Sequence, residues 1–268
     1  AGLLEEARLL TADPIVSADV DQLRAWIELS IGSGMMARRL LIDAAKEIAD
    51  IDPDRALEML AAAAEAAWIA GDAQAGAELG QVAARLPPAD TPRARFLTHL
   101  VTGFVGLLNG GVARPVRALR DAMDLAGEPD PDLVARAGHV AFYLGDNDAA
   151  YRLNAQTVAA ARATGAIGEL LFALPRLALA EMLTGRWAAA QVSADEAERL
   201  ARETSQPGLR AVSLAWLAVL AVLTGDEDRL QSLLTKTEQL AGTHALGVFD
   251  AQVRDAVHWA RGLRELKA

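Results

Sequence analysis

Cysteine is absent from the 268 residues, so disulfides, thiolate metal sites and a cysteine nucleophile are excluded. Aromatic residues make up only 4% of the chain although 52% of it is hydrophobic, and much of that share is alanine. A sheet would need more β-branched and aromatic residues, whereas this mixture suits close helix packing. Basic residues are outnumbered, 26 Lys and Arg against 36 Asp and Glu, for a net charge of −10 and a pI near 4.9. That balance lacks the positive footprint that phosphate backbones require, which argues against nucleic acid as this chain's own partner. Long hydrophobic runs are also missing. The longest, Ala211 to Leu223, is interrupted by Ser213 and is too short to span a bilayer. The opening AGLLEEARLL is acidic where a secretory signal would be basic. These features point to a cytoplasmic protein of bacterial type, and the missing initiator Met to a fragment of a longer one.

What is present is a repeat. Glycines follow an apolar-periodic stretch at Gly32, Gly71, Gly110, Gly145, Gly185 and Gly225, spaced 39, 39, 35, 40 and 40 residues apart. Seven residues before each lies a small residue: Ala25, Ala64, Gly103, Gly138, Ala178 and Ala218. Such a residue in mid-helix lets a neighbouring helix approach closely. Eighteen residues before four of the glycines stand Pro14, Pro53, Pro92 and Pro207, and Pro131 serves the shortened repeat. Asp13, Asp52, Thr91 and Asp130 precede four of these prolines, an N-cap followed by proline at the first helical position. The glycines supply the left-handed residue that ends a helix. Five residues further on, Ala37, Gly76, Ala150 and Ala190 are small again, while Pro115 and Leu230 break the rule, so those two turns are expected to be altered.

The pattern predicts an all-α chain, a right-handed superhelical solenoid of helix-turn-helix repeats. Residues 1–268 then form a single repeat domain, with repeats near 14–50, 53–88, 92–127, 131–167, 168–206 and 207–247. Partial units fall at 1–11 and 248–268, so the chain begins and stops inside repeats. The seven-residue separation of small residue and turn glycine resembles the tetratricopeptide class, with a period nearer 40 than 34.

Three phrases carry a narrower resemblance: LTGRWAAA (183–190), DEAERLARETSQPGLRA (195–211) and IADIDPDRALEMLAAAAEAAWIAGD (48–72). They are similar to the helical-repeat region of the large ATP-binding transcription regulators of the LuxR type, related to the maltose-regulon activator. Family members add an N-terminal P-loop ATPase module and a C-terminal helix-turn-helix that binds DNA. Neither is found here: no G-x-x-x-x-G-K-[ST] occurs, and Gly32-Ser33-Gly34 is followed by Met35-Met36. The resemblance implies a region that senses inducers and contacts partner subunits, with no cofactor in this fragment and no membrane. Its partner would be a small-molecule inducer or a protein, and a homo-oligomer is compatible with it. DNA would be reached only through the absent domain. A scaffold that binds peptides or proteins, unrelated to transcription, is the alternative.

In stacked helix pairs the first helices line the concave side. By the tetratricopeptide register the inward positions lie six, three and two residues before each glycine. They include Trp26, Glu65, Phe104 and His139; Trp68, Phe142 and Met182; and Tyr143. This stripe reads either as a cavity for a largely apolar ligand oriented by Glu65 and His139, or as packing between repeats. A catalytic His139, with Tyr143 and Asp146 nearby, lacks a nucleophile and a second acid. His99, His244 and His258 show no metal-ligand spacing, so no metal and no enzyme activity is expected. Arg254, Arg261, Arg264 and Lys267 share one face of the last helix. That face is either solvated or contacts a missing segment or a second copy.

Overall fold

The computed structural model describes residues 2–31, 33–126 and 130–267, and of Ser30 and Ile31 only the backbone. The described residues hold fourteen α-helices and a short 3-10 turn, Gly247–Phe249, joined by turns and loops, with no strand among them. The chain divides into two compact units, Ala1–Glu128 and Pro129–Ala268, where the repeat pattern alone reads as one domain.

The first unit holds α1 (Gly2–Leu10), α2 (Pro14–Ile31), α3 (Gly34–Ile48), α4 (Pro53–Ile69), α5 (Ala75–Ala83), α6 (Pro92–Leu108) and α7 (Ala113–Leu125). The second holds α8 (Pro131–Tyr143), α9 (Asn147–Thr164), α10 (Ile167–Leu183), α11 (Trp187–Glu203), α12 (Pro207–Thr224), α13 (Glu227–Thr243) and α14 (Asp250–Lys267). Helices α2, α4, α6, α8 and α12 each begin at the anticipated proline. The reason is local: proline has no N–H to leave unsatisfied in a first turn, and in α2, α4, α6 and α8 the residue before it supplies a cap, whereas Gln206 before α12 makes no side-chain cap. Asp52 accepts a hydrogen bond from the Arg55 N–H at 3.1 Å and Thr91 one from the Ala94 N–H at 3.0 Å.

The turns follow the same logic. Gly71, Gly110, Gly145, Gly185 and Gly225 all have φ between 66° and 80°, a region that costs other residues a Cβ clash. The sixth expected turn, at Gly32, lies outside the described residues. The altered turns expected at Pro115 and Leu230 do not occur, since Gly110 and Gly225 (φ 79° and 80°) behave like the rest. Pro115 sits in the first turn of α7, where its missing N–H costs nothing, and Gly106 makes room for its ring.

Every mid-helix small residue named above is buried: Ala25, Ala64, Gly103, Gly138, Ala178 and Ala218. At Gly138 the reason is visible, because the buried Asn154 side chain crosses there and donates to the Gly138 carbonyl at 3.1 Å and to the Ala150 carbonyl at 2.8 Å. Helix α12 is the one described helix long and apolar enough to cross a membrane once its flanks are counted, but 78% of it is buried inside the protein. It is the centre of the second unit's core, wrapped by α11, α13 and α14, with Trp216 meeting Trp259 edge-on at 6.4 Å.

The basic face of α14 is spent within the chain. Arg254 pairs with Asp250 at 3.4 Å, Arg261 with Glu238, and Arg264 with Glu227 at 3.4 Å. The Lys267 ammonium donates to the Val222 and Leu223 carbonyls at 2.5 and 3.2 Å, capping the C-terminal end of α12.

Candidate functional site

The first-helix stripe splits into residues that serve the core and residues that reach the surface. In the first unit Phe104 is wholly buried, and Trp68, half-buried, lies against it with ring centroids 6.2 Å apart. Trp26 remains 44% exposed, and Glu65 is half-buried. In the second unit Met182 is buried in the cluster around α12, beside Ala178 and Val219. Phe104 and Met182 are thus covered by adjoining helices, which accords with the packing reading of the stripe at these two positions. His139 and Phe142 are half-buried, and Tyr143 is 36% exposed. The Tyr143 hydroxyl and His139 Nε2 are hydrogen-bonded at 2.9 Å across one helical turn, with ring centroids 5.0 Å apart.

Charges accompany the stripe. In the first unit Arg55 reaches back to Asp19 at 3.0 Å, and Arg93 to Glu58 at 2.9 Å, so successive first helices are cross-linked. The second helices do the same with Lys46 and Glu78, 2.6 Å apart. That hydrogen bond raises the Lys46 pKa and lowers that of Glu78, each favouring the partner's charged form. Both groups remain partly exposed, so the pair contributes little to stability.

One buried acid went unnoticed in the sequence. Glu181, near the end of α10, is buried and its pKa is raised, first by loss of solvent. A hydrogen bond from Ser193 and the charges of Arg186 and Arg162 oppose that shift without cancelling it. Its Oε2 has no hydrogen-bond partner. Arg186 itself is held over the Tyr151 ring at 4.0 Å.

A groove was also missed. It lies within the first unit and encloses about 650 Å³ between α5, α6 and the first turns of α4 and α7. Its cause is the short α5. Pro87 and Pro88 cannot continue a helix, so α5 stops at Ala83 while α3 runs for 15 residues and α7 for 13. The missing turns uncover the face of α6 that carries Thr98 and Thr102, about 120° or more around the helix from Phe104 at 100° per residue. The groove thus opens on the second-helix side, away from the first-helix stripe. The signal was the Leu86-Pro87-Pro88 stop, but its consequence depends on where α6 and α7 lie.

Among the described residues no three His, Asp or Glu side chains converge to hold a metal ion. What the arrangement can do is hold apolar or extended chains against aromatic and aliphatic walls, with a few charged groups at the edges.

No family model and no curated protein sequence matches the chain. Its fold does match solved structures. A signal transduction ATPase with numerous domains from Pyrococcus horikoshii, bearing a tetratricopeptide repeat sensor, superposes with a TM-score of 0.55 at 12% identity. That match covers 94% of this chain but 39% of that one. A Rap protein complexed with competence and sporulation factor gives 0.59 at 13% identity, over 99% of this chain and 74% of that one. NprR in complex with its cognate peptide NprX gives 0.53 at 14% identity, over 92% and 76%. At such identities the likeness is one of fold: the chain is built of tetratricopeptide-like helical repeats.

Proposed function

We propose that the chain is the signal-sensing and protein-interaction repeat region of a transcription regulator, without catalysis of its own. The observation that carries this reading is the exposure of large amphipathic rings on the first helices. Trp26 and Tyr143 stay at the surface of a fold that buries Phe96, Phe104 and Trp216. Tryptophan and tyrosine are the side chains that contribute most area to recognition at low entropic cost. One structural neighbour is a complex with its cognate peptide, a second is a complex with competence and sporulation factor, and a third bears its repeats as a sensor. Both facts favour a peptide or protein partner over the purely apolar small molecule that the stripe alone brings to mind. The finer assignment, to an ATP-binding regulator of the LuxR type, rests on the sequence resemblance. In that assignment ATP and DNA belong to modules outside this chain.

The test is direct. Candidate inducers and peptides are screened by thermal shift with the chain as it stands, and any hit is repeated with Trp26→Ala and with Tyr143→Ala. A ligand present at a hundred times its dissociation constant stabilises its target by about 2.7 kcal/mol, and at least one substitution should remove most of that shift. Shifts indifferent to both would place recognition elsewhere. The chain should neither turn over ATP nor retard duplex DNA in a sequence-dependent way at physiological salt. The parent gene distinguishes a regulator from a scaffold: flanking P-loop and helix-turn-helix modules identify the first, and their lack the second.

A further inference from the structure

We infer that the groove of the first unit is a second binding site, built for a short extended peptide with free ends. It lies apart from the first-helix stripe and does not depend on the function proposed for it.

Three observations carry the inference. The groove follows α6 from Ala94 to Gly106, about 18 Å of helix at 1.5 Å per residue. That length accommodates roughly five residues of extended chain at about 3.4 Å each. The volume of about 650 Å³ falls in the range of sites that enclose small ligands.

The charges are complementary to a peptide's two termini. Asp54 lines the groove near the start of α6, beside Pro53 and Leu57 of α4, while Arg114 lines the far end with Pro115. All other groups along the walls are uncharged. Among the described residues neither Asp54 nor Arg114 has an ion-pair partner, although Asp19, Glu58, Arg55 and Arg93 on neighbouring turns are paired. Both are solvent-exposed, so an α-ammonium is free to pair with Asp54 and an α-carboxylate with Arg114. The carboxylate also meets the N-terminal end of α7, which has no side-chain cap.

Backbone partners are available between the two ends. From Leu86 to Ala89, which form one wall, the only backbone hydrogen bond is from the Leu86 N–H to the Ala83 carbonyl. The carbonyls of this proline-containing stretch accept no hydrogen bond from the described residues. The Thr98 and Thr102 hydroxyls on the opposite wall make no hydrogen bond either, whereas Thr157, Thr164, Thr184 and Thr237 all bond back to their own helices. Polar groups on both sides of an apolar floor are what an extended backbone requires. The floor of Ala94, Val101 and Val105 favours small aliphatic side chains.

The probe is an equimolar pool of unblocked pentapeptides of Ala, Val, Leu, Pro and Thr, captured on the immobilised chain and identified by mass spectrometry. Retained peptides should bind at least tenfold more weakly after N-acetylation or C-amidation. Asp54→Asn should reproduce the first loss and leave the acetylated peptide no worse. Arg114→Gln should do the same for the amidated one. Ala84→Trp, which fills the groove from an exposed position, should abolish retention while the melting temperature stays put. The inference is overturned if no peptide is retained at millimolar concentration, if blocked and free peptides bind alike, or if binding survives Ala84→Trp. Retention removed by Trp26→Ala and not by Ala84→Trp would also overturn it, leaving the first-helix reading in place.

Discussion

Gly103 tests the helix-pair geometry more sharply than any other position. A Cβ built there would stand 2.4 Å from Leu119 Cδ2, 2.5 Å from Leu119 Cγ and 3.3 Å from the Pro115 carbonyl oxygen. Leu119 is wholly buried, so its branch point has nowhere to go without moving α7. Gly103→Ala gains about 1 kcal/mol of helix propensity but incurs overpacking of about 1–3 kcal/mol. The net result is a loss reaching about 2 kcal/mol. Gly80→Ala is the control in the same unit: its Cβ meets only Val105 Cγ1, at 3.4 Å. It should gain about 0.5–1 kcal/mol. Leu119→Ala alone should cost about 2–5 kcal/mol through its cavity. In the double variant the new methyl enters that cavity, so the two losses should fall short of additive by about 1 kcal/mol or more. Urea melts followed by circular dichroism give the free energies, and amide exchange in α6 and α7 localises them to the first unit. If Gly103→Ala stabilises like the control, or the cycle shows no coupling, the close approach of α6 and α7 is wrong.

Three further outcomes are expected. The folded pKa of Glu181 lies above its ordinary value of 4.5, so the folded state holds the proton more tightly. The stability linked to it is then complete below about pH 4.5 and lost as pH rises through the folded value. Glu181→Gln should therefore be the more stable protein at neutral pH and melt with a flatter pH profile; parallel profiles would show that the carboxyl is solvated. Ser205 ends α11 at φ 57°, where a glycine does the same for α9 at Gly165. Ser205→Gly should raise stability by about 0.5–1 kcal/mol in urea melts, the αL strain outweighing the added chain entropy, and any loss would contradict that. Lys267→Met removes the ammonium from the Val222 and Leu223 carbonyls. The expected cost is about 0.3–1 kcal/mol, shrinking in high salt, and a salt-independent cost would exclude the helix-end interaction.

The helix starts and turns were legible because they are decided within a few residues. An Asp-Pro or Thr-Pro step caps and opens a helix on its own, and a glycine after an apolar stretch closes one, wherever the helix later packs. The all-α stack of pairs follows from those signals and from the small residue seven positions earlier. Burial was not legible in the same way. Trp26 and Phe104 occupy the same register position, yet one is 44% exposed and the other buried, because periodicity defines a face and only the neighbouring helices determine what covers it. The same holds for Arg261, Arg264 and Lys267, whose partners lie 23, 37 and 45 residues away along the chain. Glu181 looked like any helical glutamate until α11 brought Ser193 over it. The two prolines after α5 announced a short helix, but the open space beside α6 exists only because α4 and α7 hold their places while α5 falls short.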